Sequence, residues 1–469
     1  MRPYHIVIKT FVCLSIVFIT GCASLQNYAR KADPARNYIA KGAYEKAITS
    51  FPEEARGANE VLIHLERGTI LQGMGQFEAS AKEFESAVAK VKGFESRAVI
   101  SASKSTTQMG SLLINEQVQP YEGEDFEKIL IHSLDAINYL MMDDLEGARV
   151  EIRNAYRRQK ELYEKHYKAI RKAEEKAKGA GWRHSFIKAD AGRLKNLEDK
   201  AASVHSVYQN AFAYYISSLV YELNNEQDEA YIDLKHAIKA APDSIPIQKD
   251  LIRLSKELHY YDDLELWEKR FGTSGIDPKD GIDVVVVIGV GLAPVKEEVK
   301  FPIPIIRHGR KGIVFAALPV YRFEPTTTLA GMVGYGNTCI KTSRVLDVDA
   351  TAARNLLDEF PILFAKQIAR TSLKATATNR MGKEFGALGS LAGSVYSAVT
   401  EQADLRTWST LPKQIQVVRL SIPKQTRELT IRTIPTGFTQ RVGIPDNAQH
   451  VIVFGRATDS SLVIHTKIF

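Results

Sequence analysis

From about residue 33 to 270, apolar residues recur three and four apart in alanine-rich, charge-laced text, the period of an amphipathic helix. Near residue 271 the pattern changes. Phe271-Gly272-Thr273-Ser274-Gly275-Ile276-Asp277-Pro278 is rich in turn formers, and Ile282–Ile288 is then a continuous β-branched run with the length of a buried strand. Lys300–Ile305 contains two prolines and is expected as an edge or strap, since proline donates nothing to a ladder. Strands are expected over 312–321 and 338–348, and helix from Asp349 to Glu401. After Trp408 the period becomes two, over Gln414–Leu420, Arg427–Thr433, Phe438–Val442, His450–Phe454 and Leu462–Ile468. One face of Arg427–Thr433 should meet solvent.

Within the helical half one pattern repeats. Gly42-Ala43-Tyr44-Glu45-Lys46-Ala47 is echoed by Gly75-Gln76-Phe77-Glu78-Ala79-Ser80, preceded by Gly68 and Leu71 and continued by Phe84 and Ala87. Looser copies run through Tyr139, Asp143, Ala148 and Ala155, and through Tyr221, Asn225, Ala230 and Ala237 to Pro242. This resembles the tetratricopeptide repeat, whose period is about 34 residues. Small residues let paired helices approach, aromatic and aliphatic ones fill the groove, and Gly75 falls at the inter-helix turn. Between the third and fourth copies, residues 144–204 break the period and predict long helices projecting from the array.

The expected fold is therefore multidomain α+β: an N-terminal tetratricopeptide-like α-solenoid, then a mixed α/β domain ending in antiparallel strands. The expected divisions are a signal over 1–22, a tether over 23–32, repeats over 33–270, a mixed domain over 271–411, and a small β module over 412–469 that either stands alone or shares the preceding core. Stacked helix pairs create a concave surface suited to a protein or peptide partner.

The first residues alter where such a protein works. Arg2 and Lys9 precede a short apolar run, Phe11–Ile19, too short to span a bilayer and shaped like a secretory signal. It ends Ile19-Thr20-Gly21-Cys22, which resembles the bacterial lipobox, with Cys22 placed to carry a diacylglycerol thioether. Ala23 follows rather than aspartate; the resemblance then implies the periplasmic face of the outer membrane. Cys13 leaves with the signal, so Cys339 is the remaining free thiol, expected to be buried and inert. The net charge of +7 is small for 469 residues. The basic run Lys165, Lys168, Arg171, Lys172, Lys176 and Lys178 lies among glutamates, and no nucleic-acid recognition motif accompanies it.

Candidate chemistry is sparse. No histidine pair has metal-ligand spacing, no phosphate-binding loop appears, and Gly289-Val290-Gly291 lacks the third glycine and the helix of a dinucleotide fingerprint. His308 beside Arg307 and Arg310 is a weak anion candidate, and Ser390 and Ser394 lack an identifiable base. The uncharged stretch Phe385–Thr400 suits helix packing or contact with lipid. No catalytic residue, cofactor or metal is expected.

Three stretches carry a wider resemblance: Pro120-Tyr121-Glu122-Gly123-Glu124-Asp125-Phe126-Glu127-Lys128, Gly291-Leu292-Ala293-Pro294-Val295-Lys296, and Ala403-Asp404-Leu405-Arg406-Thr407-Trp408-Ser409-Thr410-Leu411-Pro412. With the lipobox they resemble a group of proteobacterial outer-membrane lipoproteins with tetratricopeptide-like repeats, often encoded near lipoprotein activators of peptidoglycan synthases. The resemblance implies work in the cell envelope and brings no catalytic residues. Read physically, the acids of Glu122–Glu127 suit a helix N-terminus, and Arg406 and Trp408 suit a domain junction. The functional alternative joins Tyr121, Glu122, Asp125, Arg406 and Trp408 in one recognition surface. The leading expectation is a non-catalytic scaffold or regulator with an envelope partner in the repeat groove. The alternative is an envelope enzyme acting on peptidoglycan or another glycan through a polar cleft in the C-terminal half.

Overall fold

The structure, a computed structural model, describes residues 28–102, 119–178, 182–273, 281–307, 310–367, 370 and 402–469. Cys22, His308, Ser390, Ser394 and the stretch 385–400 lie outside the described residues.

Among the described residues of the first half, ten helices form five pairs. They are α1 (Tyr28–Ala40) with α2 (Tyr44–Ile48), α3 (Glu60–Gly73) with α4 (Phe77–Ala102), α5 (Asp125–Met141) with α6 (Leu145–Lys178), α8 (Ala211–Leu223) with α9 (Gln227–Ala240), and α10 (Ile245–Glu257) with α11 (Tyr261–Phe271). Each pair turns on one residue in the left-handed region: Gly42 (φ 71°), Gly75 (φ 75°), Asp143 (φ 69°), Asn225 (φ 60°) and His259 (φ 59°). The next amide in every case reaches back five residues, as Gln76 N does to Leu71 O at 2.9 Å and Tyr260 N to Ser255 O at 2.9 Å. This is one helix-ending motif used five times. The repeated sequence pattern runs through the first four of these residues. It misses the fifth, because histidine stands where glycine, asparagine or aspartate usually relieves the strain.

Packing follows the repeat logic. A Cβ on Gly68 would lie 2.4 Å from the ring of Phe84, and one on Gly147 would lie 2.3 Å from Tyr139, so these glycines set the helix spacing. Ser80 Oγ donates to Gly68 O at 2.7 Å. Tyr44, Leu71, Phe84, Ala87, Ala148, Ala155, Ala230 and Ala237 are buried, while Phe77, Tyr139 and Tyr221 are partly so. The break in period is also real: α6 is 34 residues long, and α7 (Trp182–Ala201) packs on strands of the second half.

That half contains β1 (Gly281–Val290), β2 (Val295–Arg307), β3 (Arg310–Arg322), β4 (Ala330–Tyr335), β5 (Thr338–Lys341), β6 (Ser343–Asp347), β7 (Gln414–Pro423), β8 (Glu428–Ile434), β9 (Thr439–Gly443), β10 (His450–Ala457) and β11 (Leu462–Ile468). A helix over 348–367, α12, follows β6. The main sheet has the order β11-β10-β1-β7-β6, a second has β5-β4-β8-β9, and β2-β3 form a ribbon. The apolar run of β1 is central, parallel to β10 and antiparallel to β7. Valines 284 and 286 face the second sheet's core, while 285 and 287 face the core shared with the solenoid.

The segment 412–469 shares the preceding core: β7 and β10 flank β1, and β8 pairs with β4, so both sheets mix strands from either side of residue 412. The proline-containing text after Lys300 takes the edge form, as one strand of a two-stranded ribbon paired with β3 along its length. One expectation needs correction. Cys339 is exposed, because β5 is a four-residue edge strand.

Candidate functional site

The first helix of each pair carries the face on which a tetratricopeptide-like array grips ligands. In this molecule the chain's own second half touches that face. From α3, Glu66 accepts at Oε1 from Ser409 N (2.9 Å) and Ser409 Oγ (2.8 Å), and at Oε2 from Thr410 N (2.9 Å). From α5, Glu127 accepts at Oε1 from Trp408 N (2.7 Å) and at Oε2 from Tyr121 OH (2.5 Å) and Glu124 N (3.0 Å). Glu124 and Glu127 form the capping box of α5, so the acidic text after Tyr121 does start a helix.

Between these carboxylates sits Trp408, 0% exposed. Its Nε1 donates to Thr69 Oγ1 at 2.8 Å, and its ring meets Phe84 edge-on at 5.6 Å. Arg36 of α1 donates to Ser409 O, and to Ala293 O at 3.0 Å. The segment 406–410 is thus held as a peptide ligand is held, by side chains answering its backbone. Burial pushes the Glu66 carboxyl up from its ordinary value, against the hydrogen bonds from Ser409 and Thr410. Burial and the neighbouring Glu124 likewise push Glu127 up to about 7, with Tyr121 and Trp408 N opposing.

Toward β11 the two turn glycines matter again. A Cβ on Gly75 would lie 2.7 Å from the His465 ring, and one on Gly42 would lie 3.0 Å from Ser461. His465 Nε2 lies 2.9 Å from Gly73 O, and Thr458 Oγ1 donates to Ala40 O at 2.6 Å. At the other end, Arg419 on β7 forks between Asp283 (2.9 and 2.8 Å) and Glu222 on α8 (2.7 and 3.1 Å). Arg253 of α10 binds the same Glu222 at 2.8 Å and Asp250 at 3.2 Å. All five residues are largely buried. Burial raises the Asp283 carboxyl, but Arg419 and His450 outweigh it and hold Asp283 below the carboxylate range.

Of the residues expected as a recognition surface, Tyr121, Arg406 and Trp408 are brought together, as an internal joint around Glu127. Arg406 stacks 5.3 Å over Tyr121, pairs with Asp404, and donates to Ala58 O (3.1 Å) and Gln119 O (2.8 Å). Tyr121, Asp125, Arg406 and Trp408 are buried; Glu122 is half-buried. The correction has a physical cause: a guanidinium and an indole this well partnered have no contact left for an outside molecule. Carboxylates do converge nearby, with Glu124 bound by Lys296 and by Asn355 Nδ2 at 2.9 Å, and Glu359 also within reach of Asn355 at 3.1 Å. Both Glu124 oxygens are therefore used to tie α5 to β2 and α12. No group of His, Cys, Asp or Glu among the described residues is placed to hold a metal ion.

Glu66, Glu222 and Arg419 do not stand out in the sequence, whereas Lys296 closes one of the three stretches that carry the wider resemblance. A lone glutamate in the apolar text Val61–Leu71 is the one available signal for Glu66.

No family model matches this chain, and no curated protein matches it in sequence. Among solved structures, two crystal structures of MamA align with it. One has 13% identity over 50% of this chain and 91% of MamA, with a TM-score of 0.29; the other has 11% identity over 53% and 97%, with a TM-score of 0.27. The TPR2AB domain of yeast Sti1, from a pHSP90 complex, aligns with 13% identity over 52% and 91%, with a TM-score of 0.19. Likeness at this level carries no functional meaning, and the repeat rests on the five turns described above.

Proposed function

We propose that this protein is a lipid-anchored scaffold or regulator of the bacterial envelope, held by Cys22 at the periplasmic face of the outer membrane and acting by binding another envelope protein. The lipobox text and the resemblance of three motifs to envelope lipoproteins support the setting. The observation that carries the binding role is the clasped solenoid: five helix pairs wrapped on their own sheet domain make one body. With Trp408 and its neighbours in the groove where a partner was expected, this reading assigns the partner to the outer face, formed by the second helix of each pair.

Cross-linking in intact cells, membrane fractionation and mass spectrometry test this, with Cys22→Ala as the control that abolishes lipidation. A reproducible complex with an identified cell-wall synthase or other envelope machine, lost or displaced from the outer membrane in the control, is the expected result. Correct anchoring with no partner across repeated captures would overturn the scaffold reading.

A further inference from the structure

The fifth helix pair carries groups that packing does not use. A cavity of about 550 Å³ opens between α9, the α10–α11 turn and the start of α11. Its walls are aromatic: the rings of Tyr231 and Tyr260 lie 5.2 Å apart, and Tyr261 stands 5.9 Å from His259 with 67% of its surface in water. Trp267 Nε1 donates to Tyr231 OH at 2.9 Å and so fixes the floor.

Three carboxylates ring these tyrosines. Asp228 accepts from Tyr260 OH, and Asp263 accepts from Tyr231 OH at 2.6 Å. Asp262 is exposed, with no partner among the described residues. One cation is already present. Lys235 Nζ sits 4.9 Å over the Tyr231 ring and 3.6 Å from Asp263. Three carboxylates against one ammonium leave an excess of negative charge, and tyrosine faces add to the attraction for a cation. A helix N-terminus accounts for acids at 262 and 263. It does not account for an exposed tyrosine beside them, nor for exposed Ile232 in the same cavity.

We infer that this cavity receives a lysine or arginine side chain from a basic segment of a partner protein, with Lys235 marking how an alkylammonium group lies there. The inference rests on the scaffold reading and gives it a place and a chemistry. Ile232 offers the partner's neighbouring residue an apolar contact.

The test is calorimetric titration of the full chain in detergent, at low salt, with tetralysine, tetraglutamate and chitotetraose as probes. Tetralysine should bind saturably and tetraglutamate should not. The double variant Tyr261→Ala/Asp262→Asn, altered only at exposed positions, should weaken tetralysine about tenfold. Lys235→Gln should strengthen it about threefold, because it removes the resident competitor. Circular dichroism checks that both variants are folded. No saturable tetralysine binding, or equal affinity in the double variant, would overturn the inference. So would chitotetraose binding that alone depends on Tyr261, which would give the surface to glycans. Repeating the cellular cross-linking with the double variant separates the two readings. A partner captured equally well by it leaves the scaffold standing and removes this cavity. Tetralysine binding without any cellular complex leaves the cavity standing and removes the scaffold.

Discussion

Trp408 shows how much one side chain fixes. It fills the space between α3 and α4, spends its one polar atom on Thr69, and lends its amide to Glu127. Trp408→Ala should cost about 3–5 kcal/mol in denaturant unfolding, as expected for a large aromatic removed from a core. Trp408→Phe should cost much less. Glu66→Gln keeps the shape but turns an NH2 group toward amide donors, and about 2–4 kcal/mol should be lost. Asp135 adds a pH dependence. It is buried on α5, with Asn138 Nδ2 3.0 Å away and Glu151 and Glu85 nearby, and burial pushes its carboxyl up to about 8. The native state then holds a proton that the unfolded chain releases near pH 4, so this residue's contribution to stability falls as pH rises from about 4 to about 8. Asp135→Asn should flatten that slope in unfolding curves measured across the window. At this scale the sequence is informative only where a residue type is rare. Trp408 stands out; Glu66 does not, because its partners lie more than 340 residues away.

For elements, legibility follows periodicity. The first four helix pairs can be read because each repeats an internal spacing, and β1 because a run of β-branched residues has few other uses. The strand β4, Ala-Gly-Met-Val-Gly-Tyr, is invisible, since two glycines hide the alternation. The proline-containing strand β2 reads as an edge or a strap, and the edge is what forms. Pro302 and Pro304 are two residues apart, so their nitrogens share one direction, and a two-stranded ribbon has an open edge that asks for no donor. The turn glycines allow a controlled experiment. At Gly57 (φ 81°) a Cβ would have no atom within 4 Å, whereas at Gly75 it would meet His465. Gly57→Ala should cost only the left-handed backbone penalty, about 1–2 kcal/mol. Gly75→Ala should cost that plus the clash, and His465→Ala in the same chain should recover the difference. Thermal unfolding of these three variants and of His465→Ala alone measures it.

In the whole molecule, the boundary near residue 271 is plain from composition, but the clasp is not. An amphipathic face announces that it will be covered and is silent about by what. Here the covering element is the chain's own sheet, so the two halves should unfold in one transition. Arg419→Ala strips the shared cation from Glu222 and Asp283, which should cost about 3–5 kcal/mol. It should also split the far-ultraviolet signal of the helices from the near-ultraviolet signal of Trp408. The sheet order has a further consequence in time. A ribosome delivers β1 long before β10, yet β10 lies between β1 and β11. Until residues beyond 450 have been made, β1 keeps a bare hydrogen-bonding edge and the groove lacks part of its lining. A chain that stalls early is therefore left open where the finished one is sealed, a difference that a protease can read.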